Sequence, residues 1–256
     1  MPKRNKSAAV VRKWKPIIAF GCTHGELVDP LAIEAIQTLQ DKFKPEVVVH
    51  LGDYTDGTCW RNGAQGTPDE SADPEADLVA ALKCLKETRV THLCPGNHDI
   101  RAARYVDHRD ARIAHAAMKC MQAIEYELKE IGVQVLKGWN VWDSFVFGGT
   151  HFCHGVKFNV NAARDMAMMM GAKCVFAHTH KVAQQHVDSR PELVGYNVGT
   201  CSLIREHKYA EARGSTLGWS QGFVHGYFTE GRKPETKLWL TDAGRNDSRE
   251  AWQLPI

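Results

Sequence analysis

"KPIIAFGCTHG", residues 15–25, joins a short apolar run to a polar end. The apolar part has the length and composition of a buried strand. Cys22 and His24 follow it two positions apart, and alternate residues of an extended chain share one face. A thiol and an imidazole on one face are half of a transition-metal site. The segment therefore predicts a strand whose end carries metal ligands.

Strands and helices alternate after this segment. An Asp-Pro pair at Asp29 predicts the start of a helix, and residues 46–53, "EVVVHLGD", are a second apolar strand. Polar residues 54–74 predict a long loop that closes on a second Asp-Pro pair. Residues 90–96, "VTHLCPG", predict a third strand, and a further amphipathic helix follows it.

The second half of the chain contains more predicted strands than helices. Residues 133–155 predict successive strands, residues 161–172 a short helix with its run of methionines in the core, and residues 173–180 another strand. The last third alternates apolar and polar residues between turn signals, which is typical of β-hairpins. Alternation followed by hairpins favours an α/β (α+β) architecture of two sheets packed together and flanked by helices.

Length and charge indicate one domain behind a basic tail. The 256 residues, 43% hydrophobic, suffice for one sizeable core, predicted over residues 16–256. Residues 1–15 contain six cationic side chains and no acidic one. These are Lys3, Arg4, Lys6, Arg12, Lys13 and Lys15. Such a tail either contacts nucleic acid or is a solvated terminus, and both readings stay open.

Cysteine usage and hydropathy indicate the compartment. The eight cysteines include no C-x-x-C pair and stand mostly in apolar segments, which suits reduced thiols. The apolar run after the tail is too short for a signal-peptide core, and no later run reaches membrane-spanning length. We therefore expect a soluble, cytoplasmic protein without a membrane partner.

Polar residues collect at the ends of the predicted strands. They are Cys22, His24, Asp53, Asn97, His98, His154, His178 and His180. Strand ends are where ligands bind in open α/β sheets, and this many buried polar groups would need a common partner. The set is too large for one tetrahedral zinc. It suits two divalent ions that share one carboxylate.

The order of the motifs resembles that of the calcineurin-like metallophosphoesterase family. This family has Asp-x-His, Gly-Asp, Gly-Asn-His-Asp/Glu, His-Gly and Gly-His-x-His, and the chain is similar over roughly residues 17–205. The resemblance implies a four-layer fold with two mixed sheets between helices. It also implies one ion held by Cys22, His24, Asp53 and His180. The other ion would be held by Asp53, Asn97, His154 and His178.

The same resemblance implies the catalytic residues. His98 would face the phosphoester and protonate the leaving oxygen while a metal-bridging hydroxide attacks phosphorus. Asp99 would either orient that imidazole or simply cap a helix. Arg205, Trp60 and Arg61 are weaker candidates for contacts with substrate phosphate or a base. His50 is predicted to be structural.

Two positions depart from the family pattern. Ala177 stands where the family usually has glycine, and Cys22 stands where it usually has aspartate. At Cys22 the sequence resembles lariat RNA debranching enzymes. A thiolate favours zinc, iron or manganese over magnesium. The alternative is that Cys22 points into the core as a small hydrophobe.

The expected function is a dinuclear metallophosphoesterase acting on a phosphoester substrate. One alternative is a nucleic-acid phosphodiesterase of debranching or cyclic-phosphodiester type, with a nucleotide or nucleic acid as its partner. Another is an inactive binding scaffold with the same fold.

Overall fold

The computed structural model describes residues 13–137, 142–211, 214–245 and 252. Its first half alternates strands and helices as predicted. The elements are β1 (Lys15–Phe20), α1 (Pro30–Phe43), β2 (Val47–His50), α2 (Pro74–Glu87), β3 (His92–Leu93), α3 (Ala111–Glu130) and β4 (Gln134–Val135). Most of the predicted basic tail, residues 1–12, lies outside the described residues.

The second half is richer in strands. Its elements are β5 (Phe145–Phe147), β6 (Thr150–Phe152), α4 (Ala162–Met170), β7 (Lys173–Phe176), β8 (Val182–Val187), β9 (Arg190–Val198), α5 (Lys208–Glu211), β10 (Gln221–Phe228) and β11 (Thr236–Gly244). β8 pairs with β9 and β10 with β11, both antiparallel, which confirms the hairpins predicted for the last third.

The strands form two mixed sheets. The first has the order β11-β10-β1-β2-β3-β4, with β1 to β4 parallel and β10 antiparallel to β1. The second has the order β5-β6-β7-β9-β8. The last hairpin thus returns to the first sheet, where Phe228 of β10 lies opposite Lys15 of β1.

Two Asp-Pro pairs begin the helices that precede β2 and β3. Asp29 accepts a hydrogen bond from the backbone N–H of Leu31, and Asp73 accepts from Glu75 and Ala76. In each case a proline occupies the first helical position, where its missing N–H costs nothing. These contacts confirm both predicted helix starts.

Packing places the sheets between helices. Side chains of α1, α2 and α3 cluster with Ile18 and Phe20 on one face of the first sheet. The opposite face, including Ile17, packs against Val175 and its neighbours in the second sheet. α4 covers the outer face of the second sheet, where Met166 packs with buried residues such as Phe176. The predicted four-layer fold is confirmed.

One prediction about α4 is wrong. Met168 and Met169 are 51% and 37% exposed, whereas Met166 is fully buried. Successive helical residues point about 100° apart, so a run of three methionines cannot all face the sheet. Alanines supply most of the buried face instead.

A helix that spans a lipid bilayer needs about 20 predominantly apolar residues. None of the described helices is long and apolar enough to cross a membrane.

Candidate metal centre

Seven side chains of types that can bind metal ions meet at one edge of the two sheets. In chain order they are Cys22, His24, Asp53, Asn97, His154, His178 and His180. The first four follow β1, β2 and β3 of the first sheet, and the last three follow β6 and β7 of the second. The carboxyl ends of neighbouring parallel strands lie at a common edge, so each sheet contributes a set of ligands.

The first group consists of Cys22, His24, Asp53 and His180. All four residues are buried, and one potential ligand atom of each lies within 4.8 Å of the others. His24 Nε2 and His180 Nε2 are 3.0 Å apart. His24 Nδ1 lies 3.0 Å from Asp56 Oδ1, and because a carboxylate accepts, this nitrogen carries the proton. The lone pair of His24 Nε2 therefore points into the group.

The second group consists of Asp53, His154 and His178, with Asn97 beside them. His154 Nδ1 donates to the carbonyl of Leu51 at 2.8 Å, which leaves Nε2 with a lone pair in the neutral ring. That nitrogen faces Asn97 Oδ1 at 2.9 Å and Asp53 Oδ2 at 3.3 Å. Three acceptors meet here, and only a proton or a metal cation satisfies them.

Burial and charge set the protonation of these groups. Burial lowers the pKa of His24 and His180, and it lowers the pKa of His178 to about 4. These imidazoles are therefore neutral near pH 7, as metal ligands must be. Burial alone would raise the pKa of Asp53, but His154 and His98 outweigh it and hold the pKa well below its usual range. The carboxylate shared by both groups is ionised.

Cys22 lies in the apolar core and also belongs to the first group of potential ligands. The sequence left these two placements open as alternatives. The Cys22 side chain is fully buried within the core between the sheets, and its Sγ also belongs to the first group. The backbone N–H of His178 donates to Sγ at 3.3 Å. Burial, and then Asp53, raise the pKa of the thiol well above its ordinary value. A nearby cation is what would make the thiolate favourable.

The backbone is unusual at the same residues. Five of them have positive φ, between 53° and 66°, a region that non-glycine residues rarely adopt. They are Cys22, His24, Asp53, His178 and His180. Such conformations cost on the order of 1 kcal/mol each and concentrate at functional sites. They turn the chain sharply after each strand, so that these side chains converge.

Close backbone packing also requires glycine here. A Cβ atom added to Gly96 would lie 2.2 Å from Asp53 Oδ1, and one added to Gly52 would lie 2.8 Å from His154 Nδ1. The chain therefore approaches both ligand groups more closely than a side chain would allow.

His98 lies beside the first group, held by Asp56. His98 Nδ1 is 3.0 Å from Asp56 Oδ1, the same oxygen that His24 contacts. Burial opposes ionisation of Asp56, but its hydrogen bonds with His24 and His98 hold its pKa well below the usual range. One carboxylate thus ties the candidate acid to a candidate ligand. Asp56 is the last residue of "LGDYTD", and its distance from His98 in the sequence gave no reason to select it.

Asp99 has a different environment from either of those predicted. Its carboxylate accepts from the backbone N–H groups of Asp53, Thr55 and Gly96 and from the Thr55 hydroxyl. In the short helix that follows, Ala102–Tyr105, the N-cap position is Arg101 and not Asp99, and the Arg101 side chain makes no capping hydrogen bond. Burial, and then Asp53, raise the pKa of Asp99 to about 7. Asp99 therefore supports the backbone around Asp53, while Asp56 contacts the ring of His98.

The three weaker candidates for substrate contacts lie in different parts of the structure. Arg61 lines a cleft of about 180 Å³ beside His24, where its Nε lies 3.0 Å from Asp69 Oδ2. Trp60 lies in another groove, between α2 and α3, against the ring of Tyr105. Arg205 is exposed, after the end of β9.

Sequence reasoning also missed two residues close to the groups. Trp219 packs edge-on against His180, with ring centroids 4.1 Å apart. Arg101 Nη2 lies 3.0 Å from His98 Nε2. Arg101 follows His98 by three residues, about one helical turn, which is the only local signal that places it near.

The donor set fits two divalent cations. It comprises four imidazoles, one shared carboxylate, an amide oxygen and a thiol, whose potential ligand atoms face each other. Thiolate and imidazole suit borderline transition metals such as zinc and iron. The buried cluster is therefore consistent with a centre for two metal ions.

Comparison of the sequence with family models identifies its class. The model described as Calcineurin-like phosphoesterase matches residues 15–182. The chain belongs to this family, and the resemblance inferred from the motifs is confirmed. It is a hydrolase of the metallophosphoesterase type. Comparison with curated protein sequences finds no match.

Several solved structures share similarity with the chain. A metallophosphoesterase from Sphaerobacter thermophilus is 14% identical, with a TM-score of 0.45, over 89% of this chain and 88% of that one. A dimetal phosphatase from Danio rerio is 10% identical, with a TM-score of 0.45, over 88% and 98%. Vacuolar Protein Sorting 29 from Cryptosporidium parvum is 12% identical, with a TM-score of 0.41, over 90% and 97%.

Proposed function

We propose that the protein hydrolyses phosphoesters at a centre of two divalent ions. Cys22, His24, Asp53 and His180 would hold the first ion. Asp53, Asn97, His154 and His178 would hold the second. When bound, the ions would supply positive charge to the phosphoryl oxygens and a water-derived nucleophile at neutral pH.

The observation that carries this proposal is the environment of His154 Nε2. In a buried position this nitrogen faces an amide oxygen and an ionised carboxylate at 2.9 and 3.3 Å. Burial opposes a charge on His154, but Asp53 outweighs burial and raises the pKa of the ring, so a cation, either a proton or a metal ion, is favoured at this nitrogen. Buried acceptors without a donor are costly, and a shared cation resolves the conflict. Asp53 contributes to both groups, so we assign it the bridging position.

His98 is proposed as the general acid. Asp56 holds its Nδ1, so Nε2 is the nitrogen left to act on a substrate. This nitrogen contacts Arg101 Nη2 and lies 3.9 Å from Asp53 Oδ2. Asp56 keeps the ring in this orientation, as a positioned general acid requires. We therefore assign the orienting role to Asp56.

The native metals are proposed from the ligands. The thiol of Cys22 favours zinc, iron or manganese, with magnesium less suitable. We also propose a cytoplasmic location, which the eight free cysteines support.

The test is reconstitution of metal-free protein with each metal, followed by a substrate panel. The panel contains p-nitrophenyl phosphate, bis-p-nitrophenyl phosphate, cyclic nucleotides and branched RNA. Hydrolysis that depends on added metal supports the proposal. Branched RNA cleaved in preference to the others would favour the nucleic-acid phosphodiesterase, for which Cys22 is the supporting residue. Metal binding without any hydrolysis would favour the scaffold.

His98→Ala separates the acid from the ligands. We expect this variant to keep both metals and to lose on the order of 10² to 10⁴ in turnover, the usual contribution of a positioned acid. The loss should be smaller for p-nitrophenyl than for alkyl leaving groups, because good leaving groups need less protonation. Equal losses for both would exclude the general-acid role.

A further inference from the structure

Arg101 is a cation at the edge of the candidate centre that neither the motifs nor the ligand groups include. Its backbone N–H donates to the carbonyl of His98 at 3.0 Å, which closes a turn. The turn directs the Arg101 side chain back toward His98, and only 11% of that side chain is exposed. An arginine is always charged, so a partly buried one requires partners.

Three contacts hold this side chain in place. Nη1 donates to the carbonyl of Asp56 at 2.6 Å, and Nη2 lies 3.0 Å from His98 Nε2. The aliphatic part packs on Gly57, where an added Cβ would lie 3.5 Å from Arg101 Cδ. The guanidinium is therefore positioned before any substrate binds.

The guanidinium keeps spare hydrogen-bonding capacity. It has five N–H donors, and within the described part of the chain its hydrogen bonds use two of them. The nearest carboxylate oxygen with an ion-pair contact, Asp56 Oδ2, is 3.8 Å from Nη1, beyond hydrogen-bond distance. The same oxygen already accepts from the Thr58 hydroxyl. Asp56 therefore pairs with the charge of Arg101 without a side-chain hydrogen bond to its N–H donors.

The direction of the hydrogen bond between Arg101 and His98 follows from the chemistry of the guanidinium. A guanidinium can only donate, so His98 Nε2 must accept from Arg101, and the ring proton is on Nδ1 next to Asp56. The two ring nitrogens of His98 are therefore both in contact with protein groups, Nδ1 with Asp56 and Nε2 with Arg101.

We propose that Arg101 binds the phosphoryl group of the substrate and exchanges its contact with His98 for a phosphoryl oxygen. This inference rests on the proposed phosphoesterase function. The planar fork of arginine matches two phosphoryl oxygens, and a negatively charged oxygen is a better acceptor than a neutral imidazole. Binding of the anion then leaves His98 Nε2 without its contact to Arg101.

The test uses inorganic phosphate as the probe and the metal-loaded protein. Titration calorimetry gives its dissociation constant for wild type, Arg101→Gln, Arg101→Lys and Arg104→Gln, and elemental analysis gives their metal content. Arg104 lies in the short helix that begins directly after Arg101, and its side chain is exposed. Its variant therefore controls for a general loss of positive charge. KM and kcat for bis-p-nitrophenyl phosphate are measured in parallel.

We expect Arg101→Gln to keep its metals and to bind phosphate about 10-fold more weakly or worse, since it loses a charge-assisted fork. Arg101→Lys should fall between this variant and wild type, because lysine keeps the charge but not the fork. Arg104→Gln should match wild type. Phosphate affinity of Arg101→Gln equal to that of wild type would overturn the proposal. If Arg101→Gln does not fold, wild-type affinity in Arg101→Lys would overturn it.

The result that would reject the proposed phosphoesterase function differs from the result that would reject the role of Arg101. If the proposed function is wrong, the metal-loaded wild type hydrolyses none of the esters, while the phosphate titrations still decide the role of Arg101. If wild type binds no phosphate either, both proposals are rejected.

Discussion

Cys22 is the residue at which this chain departs most from the aspartate usual in its family. Its thiol is buried, faces Asp53 and accepts a backbone hydrogen bond from His178. Ionisation of this thiol without a cation is disfavoured by burial and by the carboxylate. The identity of the first metal should therefore depend on this one side chain.

We predict that metal-free wild type recovers most activity with Zn²⁺ or Fe²⁺ and less with Mg²⁺. Cys22→Asp should move the preference toward Mn²⁺ or Mg²⁺, and Cys22→Ser should bind the first metal poorly. Hydrolytic activity is measured as a function of added metal for the three proteins. As a control, the rate at which a reagent alkylates Cys22 is compared with and without metal, because a bound metal should protect the thiol. A shared metal profile for wild type and Cys22→Ser, with no protection, would show that the thiol is not a ligand.

His50 is a buried histidine outside the ligand groups, and it makes stability depend on pH. Its Nδ1 accepts from the backbone N–H of Gly52 at 3.2 Å, and Nε2 lies 3.1 Å from the Thr23 hydroxyl. Burial lowers the pKa of His50 from its ordinary 6.5 to about 3. Between these values the unfolded chain binds a proton that the folded protein excludes, so stability falls as the pH drops from 6.5 toward 3.

We predict that His50→Gln removes this contribution. The unfolding free energy of wild type should decline with acid more steeply than that of the variant, by up to about 1.4 kcal/mol per pH unit. Urea unfolding of the metal-free proteins from pH 7 to pH 4 measures both profiles, so that loss of metal does not contribute. If the unfolding free energies of wild type and His50→Gln depend on pH in parallel, His50 binds its proton equally well in the folded and unfolded states, and the prediction is wrong.

At the scale of elements, the first turn of α2 holds the loop that follows β2. The carboxylate of Asp77 accepts from the backbone N–H groups of Asp56 and Gly57 at 3.0 and 2.8 Å. These two residues carry the carboxylate that contacts His98 and the surface on which Arg101 packs. A helix terminus therefore positions the residues around the candidate acid.

We predict that Asp77→Asn lowers turnover while both metals stay bound. The amide can turn its own donors toward the two N–H groups, which destabilises the fold by about 1–3 kcal/mol and loosens Asp56. Asp110→Ala is the control, because it removes the N-cap of α3 and costs about 1 kcal/mol at a distance from the site. If both variants lose turnover equally at matched stability, the Asp77 contact has no special role.

At the scale of the whole molecule, the candidate centre joins the two sheets. Cys22, His24, Asp53 and Asn97 follow strands of the first sheet, while His154, His178 and His180 follow strands of the second. Bound ions would link these sheets in addition to the core between them. Anything that binds only the folded state stabilises it by mass action.

We predict that a chelator lowers the melting temperature. Each ion present at 100 times its dissociation constant contributes about 2.7 kcal/mol of stability, which is several degrees for a chain of this size. Calorimetry of metal-loaded and chelated protein measures the shift, and elemental analysis confirms removal. Asp53→Asn should bind metal poorly at both positions and show little response to the chelator. An unchanged melting temperature after complete removal would show that the ions do not connect the sheets.

Local chemistry in the sequence determined much of this description. The Asp-Pro pairs predicted the starts of α1 and α2, because an N-cap and a first-turn proline act within a few residues. The apolar runs predicted the strands, and the polar residues after them marked the edge at which ligands collect. This selected the seven candidate ligands together with His98, since strand ends and ligand chemistry are both visible in a linear sequence. The resemblance to the family, and not the local pattern, separated His98 from the ligands.

Tertiary structure alone decided how distant segments meet. Asp56 comes to His98 through a side-chain contact across a folded loop, which no local spacing encodes. The last hairpin joins the first sheet because Phe228 pairs with Lys15, a contact between nearly opposite ends of the chain. The positive φ angles at the strand ends are likewise unfavourable locally, so only the surrounding packing can impose them. Local preferences specify elements, whereas long-range packing specifies which of their side chains touch.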